Sequence, residues 1–305
     1  MRTSKVRLAS TLATVVVLGV CMSACGSSSK TSTAATTTTS PDPAPLTITA
    51  GDYAYTGVPA TIKAGILSVK FVNSGSVDHE MAFIKVTDNS DPKSVFTGLG
   101  KVLEGGPFPA TFLAANGIAN TPPGKTNNAQ FNLTPGQYVA LCTDTGVVGS
   151  KKDGKPHFTR GMYKKVTVTG TGGTTTPTAD SSLVAKDYGF DVSGLKAGAQ
   201  TIVFKNDGPV QWHFAELLVF AKGTTVAKAQ ADLPKLLASN GPPPAGMAFP
   251  DEVAGSQVAS PGYGNTFSAT LEKGRTYVVL CFVSDKKGGP PHAIAHQMYK
   301  VFTVS

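Results

Sequence analysis

Cysteine is scarce in this 305-residue chain, with four in all at positions 21, 25, 142 and 281. So few thiols exclude a small scaffold stapled by disulfides, which needs paired cysteines at close spacing. Tryptophan occurs once and histidine five times. Charged residues make up 15% of the chain, and no Arg-rich stripe with interleaved aromatics accompanies the net charge of +8, so nucleic acid is not an expected partner. Beyond the first residues no stretch approaches the ~20 consecutive apolar residues that a transmembrane helix requires. What the chain has in quantity is glycine and proline, 33 and 21 residues, the punctuation of a loop-rich β protein.

The N-terminus is read first because it is processed rather than folded. Arg2, Lys5 and Arg7 precede an apolar run from Leu8 to Val20, too short for a comfortable span and suited to an export signal. Met22-Ser23-Ala24-Cys25 followed by Gly26 resembles the cleavage site of a bacterial lipoprotein, which implies lipid attachment at Cys25. A plain secretory signal is the alternative. Residues 1–24 are thus expected to be signal, and losing their three basic side chains lowers +8 to +5. Residues 25–45 are dominated by Ser, Thr, Ala and Pro, which cannot bury enough apolar surface to fold. They are expected to be a spacer between a membrane anchor and the rest, on the extracytoplasmic face of a cell membrane.

The remaining sequence repeats itself at an offset near 135 residues. Asp52-Tyr53-Ala54-Tyr55 returns as Asp187-Tyr188-Gly189-Phe190, Asn73-Ser74-Gly75 as Asn206-Asp207-Gly208, Leu141-Cys142 as Leu280-Cys281, Pro156-His157 as Pro291-His292, and Met162-Tyr163-Lys164 as Met298-Tyr299-Lys300. A Gly/Thr-rich stretch separates the copies. The expected plan is a domain over 46–169, a linker over 170–179 and a second domain over 180–305.

Within each copy, β-rich runs such as Ile66–Val72 and Thr201–Phe204 close on Asn-x-Gly turns. Tyr138–Cys142 and Tyr277–Cys281 follow Gly turns directly. Such short punctuated strands predict an all-β protein, two tandem antiparallel Greek-key β-sandwiches. One segment, Thr224–Ser239, has helical spacing, a Thr for N-capping and an interior Pro234. Its counterpart near Ser94–Leu103 reads as a shorter helical excursion.

Period-two alternation places Tyr138, Ala140 and Cys142 on one strand face, and Tyr277, Val279 and Cys281 on the equivalent face. Each cysteine is followed by a His and a Met, and each copy has another His after its Asn-x-Gly turn. Four of the five histidines fill these repeated places, and the fifth, His296, lies beside Met298. Read singly, the cysteines suit small buried hydrophobes or a mutual disulfide, the histidines surface positions and the methionines core filling. Repetition of the whole set favours metal ligation.

With these residues in place, each copy resembles a cupredoxin, the blue-copper family. The resemblance implies one copper per domain, held by His79, Cys142, His157 and Met162 in the first and by His213, Cys281, His292 and Met298 in the second, with His296 an alternative to His292. Fourteen residues separate Cys142 from His157 and ten separate Cys281 from His292, longer intervals than in compact members. Enzymatic members carry His beside the Cys, whereas Leu141, Thr143, Leu280 and Phe282 stand here, so no enzyme is expected. The expected function is one-electron transfer with a redox or copper-donor protein as partner. Copper storage or delivery, or a metal-free interaction module, are the alternatives.

Overall fold

The computed structural model describes residues 45–305 apart from 88–89, 147–154, 174 and 240–242. The signal, Cys25 and the spacer up to residue 44 lie outside the described residues. The first half runs β1 (Leu46–Gly51), β2 (Ala54–Thr56), β3 (Thr61–Lys63), β4 (Gly65–Asn73), β5 (His79–Val86), α1 (Pro92–Leu103), β6 (Phe112–Thr121), β7 (Thr126–Leu133), β8 (Gly136–Leu141), a 3₁₀ turn at His157–Arg160 and β9 (Tyr163–Thr169). The second runs β10 (Ser181–Lys186), β11 (Gly189–Ser193), β12 (Gly198–Asn206), β13 (Glu216–Val219), α2 (Val226–Leu237), β14 (Asp251–Gly255), β15 (Gly264–Leu271), β16 (Thr276–Leu280), the one-turn α3 (His292–Ala295) and β17 (Tyr299–Thr303).

Each half is a two-layer sandwich. In the first, β2-β1-β4-β7 faces β3-β9-β8-β5-β6; in the second, β11-β10-β12-β15 faces β14-β13-β16-β17. Ile48, Phe71, Phe83, Phe131 and Leu133 fill the first core with no solvent exposure, and Leu183, Ile202, Phe204 and Leu217 fill the second. Burial of such side chains stabilises by about 1.5–3 kcal/mol each. At the foot of β8 and β16 a tyrosine ties the preceding turn: the Tyr138 hydroxyl donates to Thr134 O at 2.8 Å, and Glu272 N donates to the Tyr277 hydroxyl at 2.8 Å.

Three features differ from the sequence expectation. The sandwiches are mixed rather than wholly antiparallel, since β1 pairs parallel with β4, β10 with β12 and β3 with β9. The cause is placement: the strand that follows each antiparallel hairpin, β4 after β1–β2 and β12 after β10–β11, adds on the far side of the hairpin's first strand and so runs the same way as it. Next, α1 is as long as α2, twelve residues each. Pro92 presets its first turn, and Val95 and Leu99 four residues apart bury its inner face. In α2, Thr225 is the N-cap and accepts from Lys228 N, and Pro234 sits inside the helix.

The third difference is that the two halves share a sheet. β7 and β15 pair at Phe131 and Asn265, making eight strands continuous, and residues 43–305 form one compact unit. A buried amide network seals the seam. The Asn116 side chain donates to Asn132 O at 3.0 Å, Asn132 Oδ1 at 2.9 Å and Gly264 O at 3.0 Å. It accepts from Asn265 Nδ2 at 2.9 Å. Outward-facing Ala82, Ile84, Val139 and Leu141 of the first half join the same apolar cluster as the second core. The strands β5 and β8 are therefore covered on both faces, which is why they read as nearly continuous apolar runs. Among the described residues no helix is long and apolar enough to cross a membrane.

Truncating Asn116 to Ala strips partners from two asparagines and a buried carbonyl at once. Denaturant unfolding of Asn116→Ala is expected to show a loss of about 3 kcal/mol, within one cooperative transition rather than two.

Candidate metal centres

Each half gathers three donors at one end of its sandwich. His79, Cys142 and His157 form one group and His213, Cys281 and His292 the other, all without solvent exposure. In the first, Cys142 Sγ lies 3.9 Å from His79 Nδ1 and 3.4 Å from His157 Nδ1, and the two Nδ1 atoms are 3.1 Å apart. In the second, the corresponding distances are 3.7, 3.6 and 3.1 Å.

Local structure explains the convergence. His79 opens β5, while His213 forms an isolated bridge with Ala259. Both follow turns braced by a buried asparagine. Asn73 Nδ2 donates to Val77 O at 2.8 Å and Thr121 O at 2.7 Å, and Asn206 Nδ2 donates to Gln211 O and Ala259 O at 2.8 Å each. Cys142 and Cys281 lie one residue beyond β8 and β16. The long Cys-to-His intervals do not separate the donors, because backbone hydrogen bonds join the residues at their two ends. Phe158 N donates to Cys142 O at 3.0 Å, and Ala293 N to Cys281 O at 2.8 Å. His157 begins the 3₁₀ turn and His292 begins α3.

The methionines close the same circuit. Cys142 N donates to Met162 O and Met162 N to His157 O, each at 3.2 Å; Cys281 N donates to Met298 O at 3.2 Å and Met298 N to His292 O at 3.1 Å. Both side chains are fully buried, each in the same apolar cluster as its cysteine. The cysteines are free thiols, so the mutual disulfide left open by the sequence is not formed. His296 stands outside the second group. It is partly exposed, its Nε2 is 3.1 Å from Asp285 Oδ2, and its ring stacks on Tyr188 with centroids 3.7 Å apart.

The ring nitrogens facing away from the thiols decide the tautomers. His157 Nε2 donates to Gly146 O at 2.5 Å, His213 Nε2 to Asp187 Oδ1 at 3.3 Å and His292 Nε2 to Asp285 Oδ1 at 3.2 Å. A carbonyl accepts only, and so does an ionised carboxylate, so the proton sits on Nε2 and Nδ1 carries a lone pair. His79 Nε2, buried without a hydrogen-bond partner, has Asp52 Oδ1 at 3.7 Å. In the second group two lone-pair donors thus point at one another across 3.1 Å, an arrangement that a cation between them relieves; in the first, the His157 lone pair faces His79 Nδ1 at the same distance.

The donor set fits a trigonal ion. Metal–N bonds of about 2.0 Å and a metal–S bond of about 2.3 Å would set N···N near 3.5 Å and N···S near 3.7 Å; the corresponding separations here are 3.1 Å and 3.4–3.9 Å. Burial pushes the Cys281 thiol up to about 12, and pushes Cys142 up further with help from the Glu80 charge. Burial also lowers His213 to about 4, seconded by the His292 charge, and lowers His79 and His292.

Sequence reasoning missed the aspartates and tyrosines that hold these rings. Asp52 and Asp187 approach the first imidazole of each group, and the neighbouring Tyr53 and Tyr188 lie edge-on to the second, with centroids 5.0 and 5.4 Å from His157 and His292. Both tyrosines adopt left-handed backbone, φ 63° and 68°, a costly conformation kept where the surroundings demand it. The signal was available, since Asp-Tyr opens both copies. Gly75 and Gly208 complete the cradle. A Cβ on Gly75 would meet Asp52 Oδ1 at 2.6 Å and His79 Nε2 at 2.8 Å, and one on Gly208 would collide with Asp187 Oδ1.

Two sandwiches, each closing a buried pair of imidazoles and a thiol at one end, define a tandem cupredoxin-like fold. No family model matches the chain, and no curated protein sequence does. Solved structures similar to it include an auracyanin from Roseiflexus castenholzii, at 22% identity over 41% of this chain and 95% of that one, TM-score 0.28. Auracyanin A, a "blue" copper protein from Chloroflexus aurantiacus, is similar at 20% identity over 41% and 97%, TM-score 0.28. A copper nitrite reductase from Nitrosomonas europaea is similar at 13% identity over 85% and 93%, TM-score 0.23.

Two outcomes are expected. In the metal-free protein the folded His213 resists protonation until about pH 4, whereas the unfolded imidazole takes its proton near 6.5. Stability is therefore full above that value and falls as pH drops through the window between the two, measurable by denaturation at successive pH values. Gly208→Ala displaces Asp187 from His213 and is expected to weaken metal affinity at that group by roughly 10–100-fold, while the first group is unchanged, measured by competitive chelator titration.

Proposed function

We propose that this protein binds copper at both groups and carries single electrons on the extracytoplasmic face of a membrane, tethered by lipid at Cys25. One observation carries the reading: the same three donor atoms, two imidazole Nδ1 and a thiol, converge twice with matching distances in fully buried chambers. His79, Cys142 and His157 would hold one ion and His213, Cys281 and His292 the other, with the thioethers of Met162 and Met298 as further, weaker donors. Bound copper supplies a one-electron couple, because thiolate and thioether suit the reduced ion and imidazole suits both states.

The protein's own contribution is rigidity and exclusion of water. The Asn73 and Asn206 braces, the Asp contacts to Nε2 and the Cys–His–Met backbone circuit fix each donor from behind. Such support orients ligands before an ion arrives and resists rearrangement when its charge changes. Burial also separates electron transfer from delivery. A carrier that hands over the ion itself needs an opening at the site, yet all four imidazoles and both thiols have no solvent exposure. Four of the five histidines are consumed in the two groups, and among the described residues no further cluster of three metal-ligating side chains is present. A soluble redox protein is the expected partner.

The test is the visible spectrum of the protein loaded with Cu(II). Two coppers per chain and an intense thiolate-to-copper band are expected, reduced to about half by Cys142→Ser or Cys281→Ser alone and abolished by both together, with His296→Ala leaving it intact. Copper bound without that band, or a band indifferent to both substitutions, contradicts electron transfer.

A further inference from the structure

The loop that carries His292 is held by the other half of the molecule. Beyond Cys281 the chain turns at residues 285–288, where Gly288 N donates to Asp285 O at 2.7 Å. Two backbone hydrogen bonds bind this turn to the segment that leaves α1: Phe108 N donates to Lys286 O and Gly289 N to Gly105 O, each at 2.9 Å. The approach is close. A Cβ on Gly288, which has φ 85°, would meet Gly105 O at 2.8 Å, Gly106 C at 2.9 Å and Pro107 N at 3.0 Å, so a side chain there cannot coexist with the contact.

The same segment reaches the loop of the other imidazole. The Phe108 ring stands edge-on to Trp212 with centroids 4.8 Å apart, and Trp212, 3% exposed, immediately precedes His213. Gln211, one residue earlier, accepts from Lys286 N at 2.9 Å through Oε1, so the two loops are tied to each other as well as to Phe108. Next to Lys286, Asp285 accepts from His292 Nε2 at 3.2 Å. The holding segment has its own footing in the first half: α1 buries Val95 and Leu99, and Phe96 stacks on Phe158 with centroids 5.2 Å apart.

We infer that the first half positions the second metal group: residues 105–108 clasp the loops of His213 and His292, with Phe108 as the positioning residue. Phe108 acts through Trp212 and Lys286 rather than on a donor atom. Support of this kind fixes ring orientation from outside the ligand set, and its loss weakens metal affinity without removing a ligand. The second group is thus built by both halves and not by its own sandwich alone. The inference rests on the metal-binding reading of that group and is independent of electron transfer.

Co(II) is the probe, because its thiolate charge-transfer and ligand-field bands report geometry without a change of oxidation state. The full-length chain carrying Cys142→Ser reports the second group, and the chain carrying Cys281→Ser reports the first. In the Cys142→Ser chain, Phe108→Ala and Gly288→Ala are each expected to weaken Co(II) binding by roughly 10–100-fold and to shift the ligand-field bands, whereas Phe108→Tyr, which keeps the ring, leaves both as they were. In the Cys281→Ser chain the same substitutions are expected to change neither affinity nor bands, which separates positioning from a general loosening of the fold. Second-group binding and bands unchanged in both Phe108→Ala and Gly288→Ala, or equal weakening at the two groups, overturns the inference alone. No Co(II) bound by the Cys142→Ser chain overturns it together with the metal reading of the second group.

Discussion

Buried imidazole nitrogens held against one another beside a thiol are the constraint from which the local structure follows. In both halves two imidazole Nδ1 atoms sit 3.1 Å apart beside a buried thiol, and neither the rings nor the thiols are exposed to solvent. Left to themselves the rings would turn or take up protons. Acceptors behind the rings keep three of the four protons on Nε2. The glycines at 75 and 208 let the Asp-Tyr turns come close enough to act on them. Two tyrosines in a strained backbone conformation cover the second imidazoles. Stability is given up at the site and recovered in the two sandwich cores.

The fusion of the halves has a consequence for the sites. Glu80 follows His79 in sequence, and its carboxylate joins Thr143, the neighbour of Cys142, to Gln257 of the second half. Two residues beyond Gln257, Ala259 is paired through its backbone with His213. The groups are therefore embedded in one body, connected by a short run of covalent and hydrogen bonds across the seam. A flexible pair of beads on a linker would hold two sites; the shared sheet holds them in a fixed relation.

The sequence made much of this legible, and for a definable reason. Ligand residues are rare types here, so their recurrence at one offset stood out against a background of Thr, Gly and Val. His79, Cys142, His157, His213, Cys281 and His292 were all named from that recurrence, and the structure brings them together in two threes. What stayed hidden was set by tertiary packing. The pairing of β7 with β15 depends on side chains 134 residues apart, and neither strand advertises it. That His292 and not His296 joins the buried group follows from α3 turning one ring inward and leaving the other on Tyr188. Parallel β1–β4 and β10–β12 pairing follows from the third strand of each half adding beside the first rather than the second, a choice of side that no sequence period records. Asp52 and Asp187 were visible as repeat markers, but only their distance to the imidazoles gives them a role.

The central claim is that each half presents one thiol and two imidazoles to a single copper ion. X-ray absorption at the copper edge of the fully loaded protein measures this directly. The account predicts an average first shell of one short sulfur and two nitrogen neighbours per copper. A shell of oxygen and nitrogen alone, or an average of half a sulfur per copper, would contradict it.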